Sequence, residues 1–327
     1  MRAIRYLRCG DAAEVLEDVE IPTPEPGPGE VLVRISASGV NPHDVKKRSG
    51  WLGAPPSERG VVPHSDGAGI ITAAGAGIDP ARVGERVFFG GAHPARGTAA
   101  EFCSVNAAHA FPLPDALTDE QGASLGVPAF TAWLCALANG AVSGDTILVH
   151  GGSGAVGRVV VEMAVWNGAR VIATAGSDDR AAIATAKGAD HVLNYRQDDV
   201  AARVLELTHG RGVDRIVDVD FAANIETNHR VIRDYGLICS YSSTSNREPV
   251  LPYYGFALKG VTLAFIQASK MRPIYRAAAG KTICALLERG RIAPDVSDVF
   301  AFADCADAHN RVESGTAGAN VVIVPSI

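Results

Sequence analysis

A glycine-rich segment near the middle of the chain has the residue types and spacing of a phosphate-binding turn. The apolar run Ile147–Val149 predicts a buried parallel strand. Apolar residues at helical spacing from Val156 to Met163 predict a helix directly after the turn. In this context of strand, turn and helix, the segment fits the dinucleotide fingerprint G-x-G-x-x-G: Gly152, Ser153, Gly154, Ala155, Val156 and Gly157.

The three fingerprint glycines have separate expected roles. We expect Gly152 to permit a tight turn, Gly154 to let a pyrophosphate approach the backbone, and Gly157 to let the helix pack closely on the strand. Unpaired amides at the start of the helix would then meet the phosphates. A glycine turn that holds no ligand remains the alternative interpretation of this segment alone.

The end of the next predicted strand, "ARVIATAGSDDR", indicates which nicotinamide cofactor would bind. Ala175 stands where an NAD-dependent enzyme generally has an acid on the ribose 2′-hydroxyl. A small residue leaves room for a 2′-phosphate, and Gly176, Ser177 and Arg180 offer amide, hydroxyl and guanidinium donors. The two acids between Ser177 and Arg180 would repel a phosphate if they pointed inward. We therefore expect NADPH, with an ordinary solvent-exposed loop as the alternative.

The composition gives no support for nucleic-acid or membrane partners. A net charge of -6 does not provide the basic face that nucleic-acid binding needs. No apolar stretch reaches the about 18 residues of a membrane helix, and the start "MRAIRYLRCGD" lacks the apolar core of a signal peptide. The six cysteines are scattered without C-x-x-C spacing, which favours reduced thiols and a cytoplasmic protein.

The order of the predicted elements indicates two domains, one of them inserted into the other. The first third reads as short strands separated by Pro- and Gly-rich turns. A helix is predicted over Asp119–Leu137, followed by strand and helix alternation that ends at the strand Val261–Phe265. The last residues return to a helix and a strand. We therefore expect a β-rich domain formed by residues 1–122 and 267–327, a dinucleotide-binding domain over 123–266, and a cleft between them.

Motifs along nearly the whole chain resemble those of the zinc-free medium-chain dehydrogenases/reductases of the NADPH:quinone oxidoreductase (zeta-crystallin-like) family. The resemblance implies an α/β fold, with a Rossmann-type doubly wound parallel sheet domain and a β-rich GroES-like catalytic domain. It also implies an oxidoreductase that moves hydride from NADPH to a quinone or similar enone. The segments that carry it are "GVNPHDVKKRSG", "PHSDGAGII", "VGERVF", "GTAAEF", "LGVPAFTAW", "ILVHGGSGAVG", "GADHVLNY" and "GTAGANVVIVP".

The resemblance further implies that no metal takes part. Zinc-containing relatives carry a Cys and a His at the positions of Asn41 and Ser65, and neither residue here is a zinc ligand. We interpret the neighbouring His43 and His64 as structural residues of a proline turn. Without a metal to polarise an alkoxide, an acceptor that is already electron-poor is expected.

Individual site residues are assigned by matching position in the family. Asn41 is expected near the nicotinamide and the substrate, Thr131 beside the nicotinamide ring, and Tyr241 at the nicotinamide half of the cofactor. The backbone of Ser153–Val156 would contact the pyrophosphate. The residues expected around the 2′-phosphate are Gly176, Ser177, Arg180 and Tyr195. The alternatives are an ordinary Asn-Pro turn, a threonine that packs or caps a helix, and a surface tyrosine.

Several residues depart from the family pattern, so the acceptor is not specified. Lys46 and Leu52 stand where some relatives have tyrosines, Asn320 replaces a basic residue, and Asp220 is an unexpected acid. An alkenal or enone double-bond reductase and a non-catalytic NADPH-binding protein remain the alternatives. Because the apolar strand Val261–Phe265 is expected at a sheet edge, we also predict a homodimer that pairs this strand with its two-fold mate.

Overall fold

The computed structural model describes residues 1–53, 55–93 and 96–325, and its strands form three sheets. The chain divides into two compact units, one of residues Met1–Phe130 with Met271–Ile327 and the other of Thr131–Lys270. The domain boundaries expected after residues 122 and 266 remain predictions.

The helices and strands follow one another without long gaps. Up to residue 136 they are β1 (Arg2–Arg5), α1 (Ala12–Val15), β2 (Glu17–Glu20), β3 (Glu30–Val40), α2 (Pro42–Arg48), β4 (Asp66–Ala74), β5 (Arg86–Phe89), β6 (Phe102–Asn106), β7 (Phe111–Pro112), α3 (Asp119–Ala123) and α4 (Gly126–Ala136). After it they are β8 (Thr146–Val149), α5 (Ala155–Trp166), β9 (Arg170–Ala175), α6 (Asp178–Ala186), β10 (His191–Asn194), α7 (Val200–Leu207), β11 (Val213–Asp218), α8 (Phe221–Val231), β12 (Ile232–Ser240), α9 (Tyr253–Ala257), β13 (Thr262–Phe265), α10 (Pro273–Glu288), β14 (Val296–Ala301), α11 (Cys305–Glu313) and β15 (Asn320–Val324). None of the helices in the described residues is both long and apolar enough to cross a membrane.

The first unit is built around a mixed seven-stranded sheet in the order β14-β15-β3-β4-β5-β7, with β6 also paired to β3. Strand β3 alternates between buried and half-buried residues for most of its length, as expected of a strand with one face on a core. Its buried side chains Val31, Val33 and Ile35 pack in one apolar cluster with Ile71 of β4 and Phe89 of β5. This unit matches the expected β-rich domain.

The second unit contains a six-stranded parallel sheet in the order β10-β9-β8-β11-β12-β13. All four residues of β8 are buried, which is typical of a central parallel strand covered on both faces. The strand order is that of a doubly wound sheet, so the expected fold class is confirmed. Strand β13 lies at one edge of this sheet, as the sequence predicts.

The prediction of a single helix over Asp119–Leu137 is wrong, because two helices, α3 and α4, occupy this segment. The amide of Val127 donates to Oδ2 of Asp66 at 2.7 Å instead of to a helix carbonyl. Pro128 follows it and has no amide hydrogen to donate. Two consecutive backbone hydrogen bonds are therefore missing, and the helix restarts with the bond from Ala129 to Leu125.

Candidate active site

The glycine-rich turn between β8 and α5 has two strongly crowded positions and one that is less crowded. The tight turn lies one residue earlier than the sequence predicts, at Gly151, whose φ is 69°. A Cβ on Gly152 would lie 2.6 Å from the Ala173 side chain, and one on Gly157 would lie 2.1 Å from the Gly151 carbonyl oxygen. At Gly154 the nearest atom is 3.3 Å away. Gly152 and Gly157 therefore serve packing, and Gly154 leaves the backbone accessible.

The turn is held from both sides by hydrogen bonds. Thr174 of β9 accepts the amide of Gly151 on its hydroxyl and the amide of Gly152 on its carbonyl. On the other side, the buried Arg158 donates from Nε and Nη2 to the carbonyl oxygen of Ser153, at 3.2 and 2.6 Å. Sequence reasoning missed Arg158, although an arginine in the first turn of so apolar a helix is a usable signal. These hydrogen bonds fix the part of the loop that directly precedes the half-buried residues Gly154 to Val156.

The residues assigned to a 2′-phosphate meet at the carboxyl ends of β9 and β10. Ala175 is buried, and the ring of Tyr195 lies against Gly176, where a Cβ would come within 2.5 Å of the tyrosine hydroxyl. Ser177 caps α6 and accepts the amide of Arg180 on its hydroxyl at 3.3 Å. The structure thus brings these predicted residues together at one end of the sheet.

The acids that could repel a phosphate lie at the start of α6. Asp178 accepts a long hydrogen bond of 3.4 Å from the side chain of Asn194, so its carboxylate is directed toward β10. Asp179 is exposed. Acids in the first turn of a helix interact favourably with its dipole, which accounts for their presence here.

Asn41 follows β3 and precedes α2, and its side chain is bound to a buried carboxyl group. Its Nδ2 donates to Oδ2 of Asp66 at 2.8 Å, and its backbone amide donates to Oδ2 of Asp44 at 2.9 Å. Burial raises the pKa of Asp66 to about 8 and that of Asp44 to about 6. Sequence reasoning missed both acids. Asp66 lies 25 residues after Asn41 in the chain, and the contact of Asp44 with Asn41 depends on where α2 begins.

The carboxylate of Asp66 fits into a space that two glycines leave open. A Cβ on Gly126 would lie 2.2 Å from Oδ1 of Asp66, and one on Gly90 would lie 3.1 Å from it. The carbonyl of Gly90 accepts a 3.0 Å hydrogen bond from Arg276, whose guanidinium also lies over the ring of Phe130. The charge of Arg276 partly opposes the rise in the pKa of Asp66. Oδ1 of Asp66 has no hydrogen-bond partner among the described residues.

Thr131 and Tyr241 belong to the second unit, whereas Asn41 belongs to the first. Thr131 is buried on α4. Tyr241 follows β12, and its amide donates to the carbonyl of Asp218 at 3.1 Å. Burial raises the pKa of the Tyr241 hydroxyl well above its usual value, so it stays protonated at neutral pH.

Three residues that depart from the family pattern have local partners. Asp220 accepts hydrogen bonds from the amide and hydroxyl of Ser245, which ties the start of α8 to the loop after β12. Asn320 donates from Nδ2 to the carbonyl of Asp295 at 2.9 Å. The ammonium of Lys46 lies 4.6 Å from the ring centroid of Trp51, within the range of a cation–π interaction.

The positions that hold zinc in other dehydrogenases carry no ligand set here. Asn41 uses its amide on Asp66, and Ser65 accepts the amide of Ala92 on its carbonyl oxygen. One group within the described ranges does have metal-binding spacing, and it consists of His64, Cys305 and His309. The sequence predicts a structural role for His64 and did not indicate this group, although Cys305 and His309 have the i, i+4 spacing of one helix face.

Comparison with known proteins places this geometry in a family. Residues 27–115 match the alcohol dehydrogenase GroES-like domain, and residues 155–279 match the zinc-binding dehydrogenase domain. The quinone oxidoreductase of Pseudomonas aeruginosa is 31% identical over 95% of this chain and 96% of its own length. The chain belongs to the quinone oxidoreductase family.

Solved structures of the family superpose on the whole chain. The quinone oxidoreductase of Escherichia coli, solved in complex with NADPH, has a TM-score of 0.88 at 26% identity and covers 99% of this chain and 100% of its own. A mycobacterial protein complexed with NADPH has a TM-score of 0.87 at 30% identity, with coverage of 99% and 100%. The resemblance inferred from the motifs is confirmed, and the chain is an oxidoreductase of the medium-chain dehydrogenase/reductase type.

Proposed function

We propose that this protein transfers hydride from NADPH to a quinone or a similar activated enone, without a catalytic metal. The observation that supports the proposal is the end of β9, where buried Ala175 stands in place of an acid, Tyr195 lies against Gly176, and Ser177 and Arg180 begin α6. This set suits a 2′-phosphate rather than a free ribose hydroxyl. The NADPH complexes of the E. coli and mycobacterial proteins support it.

The glycine-rich turn fits the pyrophosphate of such a cofactor. The open side of Gly154 and the first amides of α5, which have no intrahelical partners, provide donors for an anion. Arg158 fixes the carbonyl of Ser153 and so keeps the turn in a single conformation. When bound, NADPH supplies the hydride. The chain provides binding, orientation and exclusion of water.

Asn41 is the residue we assign to the acceptor. Its amide has two N–H donors, and Asp66 receives one of them. The second N–H would donate to the acceptor oxygen, where negative charge develops as hydride adds to the conjugated system. Asp66 acts as a positioning residue, since it holds the amide plane of Asn41 in place. We assign Thr131 and Tyr241 to the nicotinamide half of the cofactor.

Hydride transfer without zinc follows from the residues at Asn41 and Ser65, since neither side chain is a thiolate or an imidazole. A quinone needs no Lewis acid, because its ring is already electron-poor. Activity should therefore persist after dialysis against a chelator, in a preparation with less than stoichiometric zinc by elemental analysis. Loss of turnover with a removable zinc would refute the metal-free mechanism.

The experiment that tests the function follows NADPH oxidation with a benzoquinone and, in parallel, with a simple alkenal. Faster turnover of the quinone supports the proposal. Faster turnover of the alkenal would favour an enone double-bond reductase, the second candidate in the same site. Tight NADPH binding without oxidation by either acceptor would indicate a non-catalytic NADPH-binding protein.

The assembly we propose is a homodimer that pairs β13 with its two-fold mate. Phe265 is 76% exposed at this edge, and the apolar side chains of Leu251, Phe256 and Leu263 line a cavity of about 380 Å³ beside it. An unpaired apolar edge strand favours association. We also propose a cytoplasmic location, which agrees with six cysteines that form no disulfide among the described residues.

A further inference from the structure

Three potential metal ligands meet in the first unit, apart from the hydride-transfer residues. His64 lies in the loop before β4 with a left-handed φ of 72°, and Cys305 and His309 lie one turn apart on α11. The Nε2 atoms of the two histidines are 2.9 Å apart, and Sγ of Cys305 is 3.9 Å from Nε2 of His64. All three ligand atoms lie within 4.8 Å of one another, and all three residues are buried.

Hydrogen bonds around His64 determine where its proton lies. The hydroxyl of Thr98 donates to the carbonyl of Asp66, so the hydroxyl of Ser38 must donate to Thr98. Ser38 Oγ is then free to accept, and His64 donates to it from Nδ1 at 2.8 Å. Nε2 of His64 therefore carries a lone pair. A histidine whose Nδ1 donates to an oxygen while Nε2 points at other donors has the arrangement of a metal ligand.

The tautomer of His309 follows from that of His64. Because Nε2 of His64 accepts, Nε2 of His309 donates the hydrogen bond between the rings. Nδ1 of His309 is then a bare acceptor, and it has no hydrogen-bond partner among the described residues. If the proton of His309 moved from Nε2 to Nδ1, both histidines would have a lone pair on Nε2, and these atoms lie within 4.8 Å of Sγ of Cys305.

We propose that His64, Cys305 and His309 bind one soft monovalent cation, Cu(I), that fastens α11 to the loop before β4. Binding releases the thiol proton of Cys305 and shifts the proton of His309 to Nδ1. Two nitrogens on a trigonal ion at about 2.0 Å lie about 3.5 Å apart, so the rings need to separate by roughly half an ångström. A movement of this size is small for the side chains of a loop residue, His64, and a helix residue, His309.

Charge and ligand number favour Cu(I) over Zn²⁺ at this site. The hydrogen bonds described above assign one proton to each ring, so both histidines are neutral. One thiolate then neutralises a monovalent ion, whereas a divalent ion would leave an uncompensated charge in a buried place. Zn²⁺ also prefers four ligands, and Cu(I) is selected by soft thiolate.

The test uses the full chain with Cys9→Ser and Cys284→Ser, the two cysteines that are not buried, as the background. Cu(I) is added anaerobically as a complex with a chelator that competes with the protein for the ion. Binding is followed by thiolate-to-copper absorption and native mass spectrometry. We expect one ion per chain and a higher Tm in the loaded protein, because the ion binds the folded state. X-ray absorption should find one sulfur and two nitrogen neighbours.

Matched variants separate this site from other thiols. Cys305→Ser should abolish binding, and Ser38→Ala should weaken it about tenfold by removing the partner of His64 Nδ1. Cys103→Ser, at another buried cysteine that donates to a backbone carbonyl, should leave binding unchanged. Absence of a bound ion in the background protein, or equal binding by Cys305→Ser, would overturn the proposal. NADPH binding and quinone reduction are measured separately, so failure here leaves the proposed function intact.

Discussion

Oδ2 of Asp66 accepts two hydrogen bonds, one of 2.8 Å from the side chain of Asn41 and one of 2.7 Å from the backbone amide of Val127. One carboxylate therefore holds both the residue assigned to the acceptor and the first turn of α4. Its desolvation is large enough to raise its pKa despite these two donors and the nearby Arg276.

Replacing Asp66 with asparagine should remove a pH dependence of stability. The pKa of this carboxyl rises from 3.8 in the unfolded chain to about 8 in the folded one, so between these values the native state holds a proton that the unfolded state has lost. The free energy of unfolding should fall as pH rises, by about 1.4 kcal/mol per pH unit for a full proton. Above pH 8 both states are ionised and the loss ends.

The useful window for this measurement is pH 6.5 to 8. Asp44, whose pKa is about 6, contributes mainly at lower pH, whereas the buried histidines, whose pKa values are lowered, make stability rise with pH in both proteins until the unfolded rings have lost their protons. Across the window, urea unfolding should show the wild type losing about 2 kcal/mol relative to Asp66→Asn. Asp18→Asn, at an exposed carboxylate paired with Arg2, should keep the wild-type slope. Equal slopes in wild type and Asp66→Asn would contradict the assignment.

Alanine at two glycines of the turn should separate stability from cofactor binding. Gly157→Ala places a Cβ 2.1 Å from a backbone oxygen that cannot move away, so we expect destabilisation of about 3 kcal/mol. Gly154→Ala places a Cβ 3.3 Å from the Gly151 carbonyl oxygen, a tight but much milder contact, so we expect a smaller loss of Tm than for Gly157→Ala together with weaker NADPH binding. Thermal unfolding and cofactor titration of both variants provide the comparison. Unchanged NADPH affinity in Gly154→Ala would argue against a pyrophosphate at this position.

Arg180 should account for much of the preference between cofactors. NADPH is expected to bind at least about tenfold tighter than NADH, a difference of about 1.4 kcal/mol. Arg180→Ala should reduce this ratio and barely affect NADH, because only NADPH carries the 2′-phosphate. Arg203→Ala, at an exposed arginine paired with Glu206, serves as the control. Equal affinities of the wild type for the two cofactors would refute the phosphate site.

Disruption of the β13 edge should yield monomers. Thr262→Lys places like charges on both copies at the two-fold strand pair without touching the buried face, and Leu263→Pro removes a backbone donor. Light scattering should report a dimer for the wild type and a monomer for Thr262→Lys. A folded wild type that remains at the monomer mass of 34.0 kDa at micromolar concentration would rule out this assembly.

Local pattern was sufficient to predict the parallel sheet, but not the side chains that complete the site. The strands and the glycine turn have short-range signals in apolar runs and spacing. The break between α3 and α4 depends on Asp66, which lies 61 residues before Val127 in the chain. The same holds for the contact of His64 with His309 across 245 residues. Partners this distant in the chain leave no periodicity to detect.

The shared carboxylate of Asp66 limits how this protein could be redesigned for new acceptors. A substitution there would displace Asn41 and release the start of α4 at once, so changes in selectivity and in folding could not be separated. Lys46 and Trp51, which contact each other, are the positions that we would mutate first to test acceptor preference.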